Sequence, residues 1–251
     1  MLAVDRAVTY DNGLRNYLRR VPQDSVLYYP GLDYGNWHTG TIKDYSGYGN
    51  DGALGTTTWV RNAQGLWVLN FDGDDYVNID GALTDLAATT KGTWMFWIKL
   101  VDATPVATSY VLGFGDTNAT ELITLDLLTS GVLRLQVYDA GAVKIELRTT
   151  GAVLSDGVWG HLALIQDGTS PVLLVNGVQV AQSFNNETDK TAWFSVCTGL
   201  DNGRIGCTNF ANTGNYSFVT NGQIALPKLI NTNLTVAQVL GIVNQERRWV
   251  V

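Results

Sequence analysis

Two glycine-rich stretches hold the oxygen-bearing side chains best placed for chemistry: Asp44, Asn50 and Asp51 within residues 44–52, and Asp72, Asp74 and Asp75 within residues 71–77. Hard cations such as calcium gather carboxylate, amide and backbone oxygens of this kind, about six to eight at a time. Asp44, Asn50, Asp72, Asp74 and Asp75 are therefore the candidate calcium ligands. Asp and Asn are also ordinary turn formers that hydrogen-bond their own backbone, so each loop reads either as a cation cradle or as a plain turn. A second candidate set is aromatic. Trp37, Trp193 and Tyr216 can stack on the apolar face of a sugar ring while Asn and Asp side chains fix its hydroxyls. Their competing role is to plug the end of a core, where rings supply most of a loop's burial energy.

Acid–base and nucleophilic chemistry have less to work with. Glycoside hydrolysis needs two carboxylates a few ångströms apart, flanking one bond. Glu121 and Asp126 stand an odd number of positions apart, which in a regular strand sends them to opposite faces, and Asp139 and Glu146 are isolated. With His38 and His161 the sole histidines, a Ser or Cys triad would have to recruit one of them. There is no Gly-x-Ser-x-Gly elbow and no phosphate loop. The sequence offers no catalytic set.

Residues 159–180 carry the strongest structural pattern. Leu162, Leu164 and Gln166 alternate with Ala163 and Ile165, which predicts a half-buried strand; residues 167–170 form a turn and 172–175 a second strand. Asn176-Gly177 then supplies a second tight turn, because the pair tolerates positive φ. Residues 94–101 alternate Trp94, Phe96, Ile98 and Leu100 with Met95, Trp97 and Lys99, a strand with one face in the core. Further strands are predicted over 26–30, 59–68, 70–79, 109–114, 121–128, 132–138, 143–149, 195–200, 203–207 and 224–230. Thr235 with Gln238 three residues on is a capping box, opening a helix to residue 244 with Val236, Val239, Leu240 and Val243 as its apolar stripe. The tail 247–251 is either frayed or a contact point. In residues 1–24, Leu14, Tyr17, Leu18 and Val21 recur at spacings of three and four, a short amphipathic helix ending before Pro22. That arm either braces the body or docks on a partner. Short strands punctuated by glycine turns, without strand–helix alternation, define an all-β, two-sheet antiparallel sandwich.

Several stretches, in order, resemble a known family. Trp159-x-His161-Leu162-Ala163, a polar turn and Val175-Asn176-Gly177 are similar to the core hairpin of the laminin-G-like branch of the concanavalin A-like lectin and glucanase jelly rolls. Residues 27–30 and 44–52 resemble that family's opening strand and its Asp-x-Ser-Gly-x-x-Asn-x-Gly loop, 71–77 its next landmark, 93–99 the strand that follows, and 234–244 its closing segment. The resemblance implies a jelly-roll domain over 25–251 preceded by the arm, and a packing role for His161. It also implies calcium as the cofactor that relatives often hold at such acidic loops. Hydrolases of the superfamily place paired carboxylates on one strand face, which the spacing here does not supply.

With 251 residues, 16% of them charged, and a net charge of −7, the chain can form one large-cored domain and lacks the clustered cations of a general nucleic-acid surface. No apolar stretch is long enough to cross a bilayer, and residues 1–6 do not read as a signal peptide. Cys197 and Cys207 are too few for a disulfide scaffold and form either one bridge or two buried thiols. The first functional expectation is a non-catalytic structural or adhesion protein, a virion accessory component of the phage decoration or tail type. It would be made in the host cytoplasm and would use its arm to dock on the particle or on another copy. The alternative is an extracellular lectin-like carbohydrate-binding module, with or without calcium. A glycoside hydrolase is the third expectation.

Overall fold

The computed structural model describes residues 12–31, 40–118, 121–210, 216–218 and 221–251. Helix α1 (Asn12–Leu18) leads into β1 (Ser25–Tyr28), β2 (Thr41–Ile42), β3 (Gly52–Gly55), β4 (Thr58–Arg61), β5 (Trp67–Phe71) and β6 (Tyr76–Asn78). A short helical turn ending in α2 (Leu83–Leu86) precedes β7 (Gly92–Leu100), β8 (Ser109–Gly115), β9 (Leu122–Leu127), β10 (Val132–Asp139) and β11 (Ala142–Ala152). Then come β12 (Gly160–Gln166), β13 (Val172–Val175), β14 (Val178–Gln179), β15 (Gln182–Asn186), β16 (Asn202–Ile205), β17 (Cys207–Asn209), β18 (Tyr216–Phe218), β19 (Gly222–Ile230) and helix α3 (Val236–Val250).

All but β17 and β18, which pair with each other, build two antiparallel sheets packed face to face. One has eight strands in the order β14-β13-β12-β7-β19-β5-β4, with β1 paired to β19; the other has nine, in the order β15-β11-β10-β9-β8-β16-β6-β3-β2. Between them lies the main core, where Trp94, Phe96, Ile98, Leu162 and Leu164 meet Phe114, Ile123, Leu125, Leu135, Val137 and Ile145. A second core lies on the far side of the eight-stranded sheet. There Met95, Trp97, Ala163, Ile165 and Leu174 pack with Leu18, Val239, Val243 and Val250 of the two helices.

The second core corrects the sequence reading of β7 and β12. Both were expected to bury one face, and both are buried on two, because α3 and α1 cover the side that alternation alone would leave wet. The two-turn hairpin forms as expected, with Asn176 at φ 53° and Gly177 at φ 81°. The capping box at Thr235 and Gln238 also forms. Its helix continues through residues 247–250, where the Asn62 amide donates to the Trp249 carbonyl at 2.9 Å. Residues 59–68 split into β4 and β5, because the Asn62 carboxamide oxygen accepts from the Gln64 and Leu66 amides and turns the chain. Residues 195–200 form turns instead of a strand. Cys197 and Cys207 are free, buried thiols, both pushed up to about 12 by burial.

The arm's helix lies on the body of its own chain. Leu18 is fully buried, and the Tyr17 hydroxyl donates to Glu246 Oε1 at 3.1 Å. Glu246 also accepts from Trp97 Nε1 at 2.8 Å and pairs with Lys228 at 2.6 Å, all beneath α3. Lys228 reaches that position through a bulge in β19: Leu226 takes φ 53°, and the register against β7 shifts between Ala225 and Lys228. His161 edges against Trp97 at 5.2 Å in the same layer, a packing role, and is kept neutral by burial and by the nearby charges of Lys228 and Arg247.

Candidate functional site

The outward face of the nine-stranded sheet is polar where its inward face is apolar. Ile123, Leu125, Leu127, Leu133, Leu135 and Val137 point into the core. The intervening residues of β8–β11 form cross-strand rows on the other side. Tyr110 stands opposite Asp126, Asp126 opposite Arg134, and Arg134 opposite Arg148. The next row runs Gly113, Thr124, Gln136, Glu146, and a third runs Gly115, Leu122, Tyr138. Directly opposed residues have their Cβ atoms about 5 Å apart, so each row is a continuous strip. The rows depend on a bulge: the β8–β9 register shifts between Tyr110 and Leu112, which puts Tyr110 and Gly113 on one face despite their odd spacing.

The polar groups hold one another in place. Asp126 is fully buried; Arg134 Nε donates to it at 2.9 Å and Thr124 Oγ1 at 3.2 Å. Burial raises its pKa to about 6, against the lowering pull of Arg134. Glu146 accepts from Gln136 Nε2 at 3.0 Å and pairs with Arg148 at 2.5 Å. Burial and the Asp126 charge raise the pKa of the Tyr110 phenol.

Two glycines build a wall beside these rows. A Cβ on Gly113 would sit 2.7 Å from Thr208 Oγ1, and one on Gly115 would sit 2.1 Å from the Asn209 carbonyl oxygen. Their absence lets β17, paired with β18, lie directly on β8, and Phe210 follows at its end. The result is a groove of about 330 Å³ lined by Tyr110, Leu122, Arg134, Gln136, Tyr138 and Phe210, with Gly141 at its margin. Three rings beside an amide and a guanidinium form an apolar platform with a few orienting polar groups, the composition suited to a sugar. A larger cavity of about 640 Å³ lies between the arm and α3, but Tyr17 is its one aromatic wall and that hydroxyl is tied to Glu246.

Of the expected aromatic residues, one is fully described. Trp193 is fully buried against Trp94 at 5.1 Å and Phe194 at 5.2 Å, so it is a core residue with no face for a sugar. Gly92 makes room for it. Trp37 lies outside the described residues, as does His38; Tyr216 falls in β18, where the strand is described and the side chain is not.

Among the acidic candidates, Asp44 accepts from the Tyr28, Ser46 and Asn50 amides and the Ser46 hydroxyl at 2.5–3.0 Å. Those donors fill the four acceptor positions of a carboxylate, so Asp44 braces its own loop. The Nδ2 of Asn50 donates to the Val26 carbonyl at 2.7 Å and to Asp85 at 2.8 Å. Asp72, Asp74 and Asp75 do converge, with carboxylate oxygens within 4.8 Å of one another. The hydrogen bond and charge of Asp72 raise the Asp74 pKa, while Asp75 is raised first by burial. Glu121 lies just outside β9 and accepts from the Gly199 amide at 2.7 Å. Glu146, isolated in the sequence, is brought onto the same face as Asp126, across β10.

The groove was missed because it draws on four strands whose register no single stretch reveals. A signal was present: polar residues at alternate positions in consecutive strands, Thr124 and Asp126, then Arg134, Gln136 and Tyr138, then Lys144, Glu146 and Arg148.

A jelly roll with a walled, ring-lined groove on one sheet defines a lectin-like class of protein, and the chain belongs to the concanavalin A-like lectin/glucanase superfamily, whose laminin-G-type family profile matches residues 71–240. That match begins after the 27–30 and 44–52 landmarks. No curated protein matches the chain. Among solved structures, it is similar to domain 4 of the extracellular GH43 arabinanase AbnA from Geobacillus stearothermophilus, in complex with arabinotriose. The identity is 18% and the TM-score 0.61, over 88% of this chain and 98% of that one. It is also similar to the CBM40 of the Ruminococcus gnavus IT-sialidase bound to α2,3-sialyllactose, with 19% identity and TM-score 0.60 over 70% of this chain and 96% of that one. Trypanosoma rangeli sialidase matches with 14% identity and TM-score 0.63, over 92% of this chain and 34% of that one. The chain spans about a quarter of the NanB sialidase from Streptococcus pneumoniae, 26% and 27% in two structures.

Proposed function

We propose that this protein is a glycan-binding module whose ligand lies in the groove over β8–β10, beside Phe210. The observation that carries this reading is the union of Tyr110, Tyr138 and Phe210 with Arg134 and Gln136 in one walled depression on an otherwise continuous sheet face. The rings stack against sugar C–H faces, while the guanidinium and amide donate to ring and hydroxyl oxygens. The arabinotriose and sialyllactose complexes of similarly folded domains support the choice of ligand class. A glycan array with the full chain tests it. Retention of one glycan class should be lost in Tyr138→Ala and in Phe210→Ala, and retention that survives both changes removes the groove from the reading.

For calcium, the ligand set narrows to Asp72, Asp74 and Asp75, the acidic candidates that converge. A rise in melting temperature on adding calcium, absent in Asp74→Asn, is the expected outcome; an unchanged melt sinks it. The virion reading has no comparable support, because the apolar residues Tyr17 and Leu18 of the arm turn onto α3 and the sheet of the same chain.

A further inference from the structure

We propose that Asp126 and Glu146 make the groove selective for uncharged glycans, by occupying the guanidinium groups that would otherwise receive a ligand carboxylate. This rests on the glycan-binding reading above and adds the chemical class of the ligand.

The charges of the four-strand face are matched one to one. Arg134 pairs with Asp126, Arg148 with Glu146 and Lys144 with Asp139, at 2.9, 2.5 and 3.2 Å. Arg204, on the same row beyond Gly113, pairs with Asp80. Arginine recognises a carboxylate best through two parallel N–H donors. In Arg134 the Nε is already spent on Asp126, which leaves the end-on Nη donors for a ligand, and one of the two N–H groups of the Gln136 amide goes to Glu146. A ligand carboxylate entering here would meet in Arg134 a guanidinium already neutralised by Asp126, with the Glu146 carboxylate bound to the neighbouring Gln136. Asp126 has no exposed surface and cannot swing out into water to relieve the repulsion. Like charges brought together at low dielectric repel strongly, and neither ligand nor protein can recover its lost hydration.

An uncharged sugar meets no such penalty. Its hydroxyls accept from the remaining N–H groups of Arg134, which has five in all, and its C–H faces lie on Tyr110, Tyr138 and Phe210. At the Leu122 end of the groove, Glu121 and Asp116 flank Gly199 and add further negative charge.

The test is an array of neutral arabino-, xylo-, gluco- and galacto-oligosaccharides printed beside their sialylated or uronate-bearing counterparts, probed with the full chain and three variants. The wild type should bind neutral members and hold the acidic counterparts at least about tenfold more weakly. Asp126→Asn and Glu146→Gln should each keep neutral binding and narrow that gap to about threefold or less, since each removes one carboxylate charge from beside the groove. Glu146 is half-buried and touches the groove through Gln136, so its variant carries the test should the change at Asp126 prevent folding, as checked by circular dichroism. Preference for acidic glycans that is lost in Tyr138→Ala overturns the selectivity while leaving the groove as the binding site. A neutral-to-acidic ratio unchanged in both carboxylate variants also overturns it. Retention of no glycan at all overturns the binding reading itself.

Discussion

On the eight-stranded sheet the outward face is closed: Met95, Trp97, Ala163 and Ile165 lie beneath α3 and α1, and the ion pair under that cover, Lys228 with Glu246, exposes at most 1% of either side chain. On the nine-stranded sheet the outward face carries an ion pair as well, Arg134 with Asp126, but only its acid is sealed; 13% of the arginine side chain stays exposed in the groove floor. The chemistry is alike and the roles differ because of what lies above. A buried pair under a helix has nothing left to bind, whereas a pair with one partner at a groove floor presents polarised donors held in fixed directions. A covering element, more than residue type, separates a structural charge cluster from a recognition surface.

The comparison is broken most severely by Lys228→Met, which strands Glu246 without its partner. Loss of one member of such a pair destabilises by about 3–5 kcal/mol, and the double variant Lys228→Met/Glu246→Leu should recover most of it in urea unfolding. A single variant with less than about 1 kcal/mol of effect would mean that the helix layer is not sealed. Next in size, Leu18→Ala should lower stability by about 2–4 kcal/mol, the range for a fully buried leucine. An effect near zero would show that α1 is a detachable arm and not part of the layer.

Acid should move the two faces in opposite directions. His161 is held neutral, its folded pKa far below the ordinary value of about 6.5, so the stability it contributes is intact above pH 6.5 and is lost below it. The slope approaches about 1.4 kcal/mol per pH unit for one group. Asp126 has a folded pKa of about 6, above its ordinary value of 3.8, so its ionisation opposes folding; that penalty is relieved as pH falls from 6 towards 3.8. Denaturation between pH 7 and pH 5 should therefore show a smaller acid loss for His161→Leu than for the wild type, and a larger one for Asp126→Asn. Identical pH profiles for all three proteins would remove both assignments. The smallest stability effect belongs to the groove: Tyr138→Ala should change unfolding free energy by no more than about 1 kcal/mol while reducing glycan affinity about tenfold, a 1.4 kcal/mol change. A stability loss as large as that of Leu18→Ala would mark Tyr138 as a packing residue.

The parts of this arrangement that a linear reading reaches are those written locally. Asn176-Gly177, the Thr235–Gln238 box and the alternation through residues 94–100 each specify backbone geometry within a few positions, and each appears as read. Alternation says which residues share a face and not what covers that face, so the double burial of β7 and β12 was out of reach. Bulges defeat parity outright: Val111 and Leu226 re-phase their strands, and only then do Tyr110 join the groove and Lys228 reach Glu246. Trp193 looked like a loop aromatic because its polar neighbours Asp189, Lys190 and Thr191 belong to a turn whose next residues dive into the core.

The long reach of β19 has a kinetic consequence. Its partner β7 lies far upstream, with Ile230 paired to Thr93 and Gly222 to Leu100, so the middle of the eight-stranded sheet cannot close until the chain is present as far as β19. Local hairpins such as β12–β13–β14 can form early, yet they wait beside an unpaired edge for a partner that follows later in the chain. Loop-closure entropy of that size places folding in the slow range of about milliseconds to seconds. Through that interval the apolar faces of β7 and β12 are open to any neighbouring chain, and crowding of nascent copies is then the main hazard to yield.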